Sequence, residues 1–283
     1  MLLCVDVGNT QIALGVYPDG LGDEVRPPLV RDWRMRTDRH MTADELEVAL
    51  RALLGPHEVT GVAALSTVPS LLREMRLLLE RSELPSVVVG PGVRTGVPLL
   101  VDNPREVGAD RVVNTLAAHR LFDTACVVVD FGTSTNIDVV SAKGEFLGGV
   151  LAPGIEISME ALANRAAALQ TVEIVRPRSV IGKNTVECLQ SGVLYGNAAQ
   201  VDGLVTRILA ELGPGPATVI GTGGLAPLMQ GVSETISEYV PDLTLLGLRL
   251  AYLRNIDQPR SARSTVVTSG RSNSPRVSGR EPR

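Results

Sequence analysis

The sequence predicts an α/β protein made of two similar lobes. A pattern of apolar strand, Asp-x-Gly turn and second apolar strand occurs twice, and strands alternate with helices along the chain. The turn acids of the two copies, Asp6 and Asp130, are 124 positions apart. A repeat of about one domain's length indicates a duplicated domain, because solenoid repeats have periods of roughly 20–50 residues.

The second copy, residues 126–140, has a Val-rich run that is typical of a buried strand and ends at Asp130. Gly132 permits a close turn, and the hydroxyl and N–H groups that follow it are suited to an anion. A cation bound to Asp130 would make a phosphate acceptable there. The alternative is an ordinary hairpin in which Asp and Thr satisfy the turn backbone. This segment alone does not separate the two interpretations.

The N-terminal copy favours the interpretation as a phosphate site with a cation. Asp6-Val7-Gly8-Asn9-Thr10 repeats the same arrangement, and each copy continues into a turn and a third extended stretch. Two facing hairpin loops, each with an acid and small residues, form a cleft that can hold the phosphates of a nucleotide and a metal ion. This arrangement resembles that of the actin-like and sugar-kinase-like ATPases.

Size and composition agree with two modest lobes. The chain has 283 residues, and with only 3% aromatic residues its cores must consist of Val, Leu, Ile and Ala. The three cysteines (Cys4, Cys126 and Cys188) have no paired spacing, so we expect reduced core residues and neither disulfides nor zinc. No signal peptide and no apolar run of about 20 residues is present, which predicts a soluble, cytoplasmic protein without a membrane partner.

The C-terminal segment differs from the rest of the chain. Residues 258–283 hold six Arg and one Glu among Ser, Pro and Gly. Such a segment has too few apolar residues to fold, so we expect a disordered Arg/Ser-rich extension. Basic tails can bind nucleic acid, but we expect no nucleic-acid partner here.

Helices and strands alternate between and after the two copies. Thr42 and Glu45 form a capping-box pattern that starts a helix ending at Gly55. Further elements are predicted at 61–66 (strand), 69–81 (helix), 86–89 (strand), 157–169 (helix), 185–212 (helix interrupted at Gly192 and Gly196), 217–220 (strand) and 243–255 (amphipathic helix).

A second group of polar residues lies at Gly108-Ala109-Asp110-Arg111, where a helix begins. An acid in a first helical turn is ordinarily a dipole partner, and an adjacent Arg a surface ion pair. The functional interpretation is a substrate site: Arg111 binds an anionic group as a planar fork and Asp110 accepts a hydroxyl proton. Thr185 follows Gly182-Lys183-Asn184; it is an N-cap by default, with a hydroxyl that could also face the cleft.

Seven motifs, in order and with compatible spacing, resemble those of the type III pantothenate kinases from Leu2 to Asn255. They are DVGNT (6–10), GADR (108–111), DFGTST (130–135), GKNT with QSG (182–185 and 190–192), VDGLVTRI (201–208), TGGL (222–225) and LTLLGLRL (243–250).

The resemblance implies two ribonuclease-H-like domains with a cleft between them (1–115 and 116–257, followed by the tail), a homodimer, and phosphorylation of pantothenate by ATP in coenzyme A synthesis. It implies Asp110 as proton acceptor, Asp130 as ligand of a monovalent cation (K⁺ or NH₄⁺), and Mg²⁺ accompanying ATP. It assigns ATP binding to Asp6, Val7, Gly8, Asn9, Thr10, Gln11, Ile12, Ala13 and Thr133. It assigns pantothenate binding to Gly108, Ala109, Asp110, Arg111 and Thr185.

Three positions depart from the family pattern: Val101 replaces a Tyr, Asn136 replaces the second Thr of a pair, and 166–170 lacks the usual Thr-Ala-x-Leu-Pro. Two other functions therefore stay open. One is a related kinase or phosphohydrolase for another small molecule. The other is an inactive homologue that binds ligand and regulates.

Overall fold

The structure is a computed structural model that describes residues 1–22, 24–165 and 171–256. The tail at 258–283 and the unusual segment at 166–170 lie outside the described residues. The described part of the chain contains two five-stranded sheets, one in each lobe.

The N-terminal sheet has the strand order β3-β2-β1-β4-β5. Its strands are β1 (Leu2–Val7), β2 (Gln11–Tyr17), β3 (Arg31–Arg36), β4 (Gly61–Ser66) and β5 (Ser86–Val88). The first three strands are antiparallel, whereas β4 and β5 run parallel to β1. Helices α1 (Ala43–Leu54) and α2 (Pro69–Ser82) cover one face, where the apolar sides of β1, β2 and β4 are buried. The predicted capping box between Thr42 and Glu45 is confirmed.

The C-terminal lobe repeats this topology. Its elements are α3 (Ala109–Phe122), β6 (Ala125–Phe131), β7 (Ser134–Val140), β8 (Phe146–Pro153), α4 (Ile155–Arg165), α5 (Thr185–Leu212), β9 (Ala217–Thr222), α6 (Ala226–Met229), β10 (Glu238–Tyr239) and α7 (Leu243–Ile256). The sheet order β10-β9-β6-β7-β8 is the N-terminal order with β6 in the place of β1. Asp6 pairs with Ala13 and Leu65, and Asp130 pairs with Asn136 and Thr222. The predicted duplication is therefore confirmed in strand order and direction, although the hairpin register of the two copies differs by one residue.

Helices α3 and α7 join the lobes. One core cluster contains β1 and β4 residues, α3 and α7 residues and β6 residues. A Cβ at Gly247 of α7 would collide with the carbonyl of Val113 in α3, so the two helices touch at backbone distance. The division predicted at residue 115 falls within α3 and stays a prediction.

Three local expectations were wrong. Helix α5 continues through Gly192 and Gly196, because glycine in a helix costs only about 1 kcal/mol and leaves the backbone hydrogen bonds intact. Helix α7 is buried over most of its surface, because it packs against both α3 and the N-terminal sheet, so it is not amphipathic. Cys188 is exposed on α5, unlike the buried Cys4 and Cys126.

None of the helices in the described part of the chain is long and apolar enough to cross a membrane.

Candidate active site

The two Asp-x-Gly turns meet at one cleft. The Thr10 and Thr133 hydroxyl oxygens lie 2.7 Å apart in a hydrogen bond between the lobes. Each turn is closed by a bond from its glycine N–H: that of Gly8 donates to the Gln11 carbonyl three residues on, and that of Gly132 to the Ser134 carbonyl two residues on, each at 3.0 Å. The prediction that these distant turns share a crevice is confirmed.

The residues predicted to bind ATP divide by strand alternation. Asp6, Gly8, Asn9, Thr10, Gln11, Ala13 and Thr133 line the cleft. Val7 and Ile12 are fully buried in the N-terminal core, because successive side chains of a strand point to opposite faces. A contact from these two residues to a nucleotide would have to use their backbone groups.

Residues from the loop after β3 hold the first turn in place. The Thr37 hydroxyl donates to the Gly8 carbonyl at 2.7 Å, and Arg39 Nη2 donates to Asn9 Oδ1 at 3.2 Å. The turn is thus fixed from outside the cleft, which leaves its inner surface available to a ligand.

Four carboxylates line the cleft, those of Asp6, Asp110, Asp130 and Glu156. Burial, followed by the charges of Asp110 and Asp130, raises the pKa of Asp6 to about 8. Burial, followed by the charges of Asp110 and Asp138, raises the pKa of Asp130 to about 7. Burial also raises the pKa of Asp110. These shifts mean that the acids repel one another in a poorly solvated space, and a bound cation would relieve that repulsion.

The oxygen donors suit a hard cation shared with phosphate. Among the described residues, no three His, Cys, Asp or Glu side chains form a ready-made metal cage. Mg²⁺ is commonly bound by one or two carboxylates together with substrate phosphates and water, so isolated acids facing one cleft fit such an ion.

Asp130 is oriented by residues of two other elements. Asn114 Nδ2 of α3 lies 3.4 Å from Asp130 Oδ2, and the Thr244 hydroxyl of α7 donates to Asn114 Oδ1 at 2.9 Å. On the other side, a Cβ at Gly223 would collide with Asp130 Oδ1, and Gly223 has φ +91. The glycine-rich TGGL turn therefore serves to let the backbone approach this carboxylate.

The GADR segment begins α3, and only Asp110 of its four residues lines the cleft. Gly108 is the residue before the helix, where a Cβ would collide with Asp110 Oδ1. Ala109 packs against the core shared by the lobes. The Arg111 side chain lies on the β7–β8 side of α3, where Nε donates to Asp138 Oδ1 at 2.7 Å.

Thr185 does not line the cleft of its own chain. It is exposed at the first turn of α5, and the N-cap is Asn184, whose Oδ1 accepts the Glu187 N–H at 2.9 Å. The default interpretation of Thr185 as N-cap was therefore wrong by one residue. Its assignment to the substrate stays a prediction.

The sequence patterns did not single out two residues of the site. Arg34 of β3 is the single Arg or Lys among the described residues that line the cleft. Its charge lowers the pKa of Asp6 and Asp130, though less than burial raises them. Asp138 is the buried partner of Arg111. The available signal for Asp138 was an acid within an otherwise apolar stretch of β7, where a charged residue is rarely placed without a partner. Strand β3 contains three Arg, so nothing in its sequence distinguishes Arg34.

Two of the departures from the family pattern lie near these groups. Asn136 lines the cleft and accepts a hydrogen bond from the Ser134 hydroxyl at 2.7 Å. Val101 Cγ1 lies 3.8 Å from where a Cβ of Gly148 would be. The loop before α3 therefore approaches β8, the strand that also passes Arg111.

Comparison with solved structures agrees with the two-lobed architecture. The activator of 2-hydroxyisocaproyl-CoA dehydratase from Clostridium difficile, with bound ADPNP, has a TM-score of 0.51 at 13% identity, covering 89% of this chain and 94% of that chain. Component A of (R)-2-hydroxyglutaryl-CoA dehydratase from Acidaminococcus fermentans has a TM-score of 0.51 at 15% identity, covering 89% and 96%. Fold and cleft together define a two-lobed α/β protein, with two ribonuclease-H-like domains of repeated topology facing one cleft.

Sequence comparison identifies the family. A family model described as type III pantothenate kinase matches residues 2–207. The type III pantothenate kinase of Saccharopolyspora erythraea is 70% identical over 262 residues, covering 90% of this chain and 99% of the relative. That of Rhodococcus opacus is 61% identical over 273 residues, covering 94% and 100%. The chain belongs to the type III pantothenate kinase family.

Proposed function

We propose that the cleft between the lobes is where this chain transfers the γ-phosphoryl group of ATP to the primary alcohol of pantothenate. The family assignment makes the chain an ATP-dependent pantothenate kinase, acting in coenzyme A biosynthesis. The observation that carries the location is that Asp6, Asp110 and Asp130 line one cleft together with both hydroxyl-bearing turns.

The ATP phosphates lie between the two turns. The hairpin at residues 6–13 holds the phosphates, with the Thr10 and Thr133 hydroxyls donating to phosphate oxygens, and Asp6 would hold the Mg²⁺ that accompanies ATP. Arg34 adds a positive charge on the same side. The reaction needs little covalent chemistry from the protein, so positioning and neutralisation of charge supply most of the catalysis.

Asp130 binds a monovalent cation, K⁺ or NH₄⁺. The buried carboxylate, its amide neighbour Asn114 and its raised pKa support this role, because a cation would stabilise the ionised form. The ion would offset the repulsion between Asp130 and the other two acids.

Pantothenate binds on the α3 side, with Asp110 accepting the hydroxyl proton and Arg111 facing the carboxylate. A carboxylate suffices as base here because the proton of the alcohol leaves late in phosphoryl transfer. The raised pKa of Asp110 makes it a stronger base than an exposed Asp. Gly108 and Ala109 shape the entry to the helix at this end of the cleft.

The active form is a homodimer located in the cytoplasm, where ATP is available. Exposed apolar residues on β8, on α4, in the segment before α5 and in its first turn support an interface, since isolated monomers seldom expose many such residues together. They include Leu151, Leu162, Val180, Ile181 and Val186, exposed by 44–71%. Thr185 lies next to Val186, on the surface proposed to be covered.

Purified protein with ATP, Mg²⁺, K⁺ and pantothenate tests the function, with phosphopantothenate as the readout. We expect turnover that depends on pantothenate. Phosphorylation of some other alcohol alone would favour a related kinase, and ligand binding without turnover would favour an inactive homologue.

A further inference from the structure

The Arg111 guanidinium is held from behind by a residue that cannot itself reach a ligand. Arg111 Nε and Nη2 lie 2.7 and 2.5 Å from the same oxygen, Asp138 Oδ1. The Asp138 side chain is 1% exposed, whereas that of Arg111 is 17% exposed. The pair thus has a buried end at Asp138 and an accessible end at Arg111.

Two further residues fit the guanidinium into place. Arg111 Cζ lies 5.0 Å from the centre of the buried Phe146 ring, within the range of a cation–π contact. Gly149, the β8 residue paired with Asp138, lies close to both β7 and Arg111: a Cβ there would collide with the Ile137 carbonyl and would lie 3.0 Å from Arg111 Nη2. Helix α3 and strands β7 and β8 therefore fix one orientation of this side chain.

Burial of the Asp138 carboxylate is energetically unfavourable. Its Oδ2 has no hydrogen-bond partner among the described residues, and burial raises its pKa to about 6 even though Arg111 lowers it. Buried ion pairs are often no more stable than apolar replacements of similar volume, so stability alone explains this pair poorly. A fixed guanidinium is useful, however, because less side-chain entropy is lost when it binds a carboxylate.

We propose that Asp138 is a positioning residue that holds Arg111 for the acceptor's carboxylate and so sets selectivity for a carboxylated over a neutral acceptor. This inference rests on the proposed function, in which Arg111 faces pantothenate. Phe146 and Gly149 restrict the same guanidinium from the other sides.

The test compares pantothenate with pantothenol, which has the same primary alcohol but a CH₂OH group in place of the carboxylate. The ratio of kcat/KM for the two acceptors is measured at saturating ATP. In Asp138→Asn we expect this ratio to fall about ten- to a hundredfold, as for loss of a hydrogen bond to a charged group. The loss should come mainly from KM for pantothenate, with KM for ATP unchanged.

Asp202→Asn is the matched control. Asp202 accepts hydrogen bonds from Ser233, Glu234 and Thr235, and it does not line the cleft. Its loss should lower stability without changing the acceptor ratio. An unchanged ratio in a folded Asp138→Asn variant would overturn the proposal.

If Asp138→Asn alone does not fold, a second pair of variants tests whether Asp138 acts through Arg111. Arg111→Gln should lower the ratio, and Asp138→Asn added to Arg111→Gln should lower it no further, because Asp138 acts through Arg111. A further fall of the acceptor ratio in the double variant would show that Asp138 acts otherwise than through Arg111, which refutes the proposal. Absence of pantothenate phosphorylation by the unmodified protein would instead refute the proposed function, which keeps the two failures distinct.

Discussion

The hydroxyl of Thr10 is hydrogen-bonded to that of Thr133 across the cleft, at an oxygen–oxygen distance of 2.7 Å. The two residues are 123 positions apart and occupy equivalent turns of the two lobes. Each hydroxyl is exposed to the cleft, so a phosphate that enters can exchange this bond for bonds to its own oxygens. The contact marks where the two halves of the duplicated fold close on a ligand.

Replacing Thr133 by Val keeps the side-chain shape and removes its hydroxyl. We expect KM for ATP to rise by roughly ten- to a hundredfold, the usual effect of losing one hydrogen bond to a charged group, with KM for pantothenate little changed. Steady-state kinetics with each substrate varied in turn measures this. Thr206→Val is the control, since the Thr206 hydroxyl donates to the Asp202 carbonyl on α5. Equal ATP kinetics in Thr133→Val and the unmodified protein would remove this hydroxyl from the phosphate site.

Replacing Asp110 by Asn removes the proposed proton acceptor while keeping the size of the side chain. We expect a folded protein whose kcat falls by about 10²- to 10⁴-fold, the usual contribution of a general base. Circular dichroism checks the fold and single-turnover assays check the chemistry. Asp44→Asn, which removes an exposed partner of Arg81, should retain full activity. Normal kcat in a folded Asp110→Asn variant contradicts the assigned role.

The cation site at Asp130 predicts a dependence on the monovalent salt. Turnover should be faster in KCl than in NaCl at equal ionic strength, and Asp130→Asn should abolish that difference. Initial rates in the two salts, at fixed Mg²⁺ and ATP, give the comparison. Equal rates in K⁺ and Na⁺ for the unmodified protein would count against a monovalent site.

The raised pKa values of Asp6 and Asp130, about 8 and about 7, predict the pH dependence of stability. Both values lie above the ordinary Asp value, so between the ordinary and raised values the folded state binds more protons than the unfolded state. The ligand-free protein should therefore lose stability as pH rises from about 4 to 8. Thermal unfolding at several pH values measures the trend.

The matched variants for the pH experiment are Asp6→Asn and Asp130→Asn, which should flatten the pH dependence, and Asp44→Asn, which should leave it unchanged. Mg²⁺ with nucleotide should stabilise the protein more at pH 8 than at pH 5.5, because the acids must ionise to bind it. A ligand-free protein that becomes more stable between pH 5 and 8 would contradict the raised pKa values.

The strands and turns at the cleft could be predicted because their information is local. Runs of apolar residues ending at Asp6 and Asp130 fix two strands and their turns, and Thr42 with Glu45 fixes a helix start. The burial of α7 on most sides and the continuity of α5 through its glycines could not be predicted in this way. They depend on what packs around each helix, which the sequence of the helix does not contain.

By itself the sequence determined the duplicated strand–turn–strand units, the positions of Asp6, Asp110 and Asp130, and the resemblance that the family comparison confirmed. Only the tertiary structure decided that Val7 and Ile12 face the core, that Arg34 faces the cleft, and that Arg111 is paired with Asp138. The physical reason is that strand alternation and turn chemistry act over a few residues. The partner of a charged side chain is chosen instead by the packing of α3 against a sheet whose strands come later in the chain.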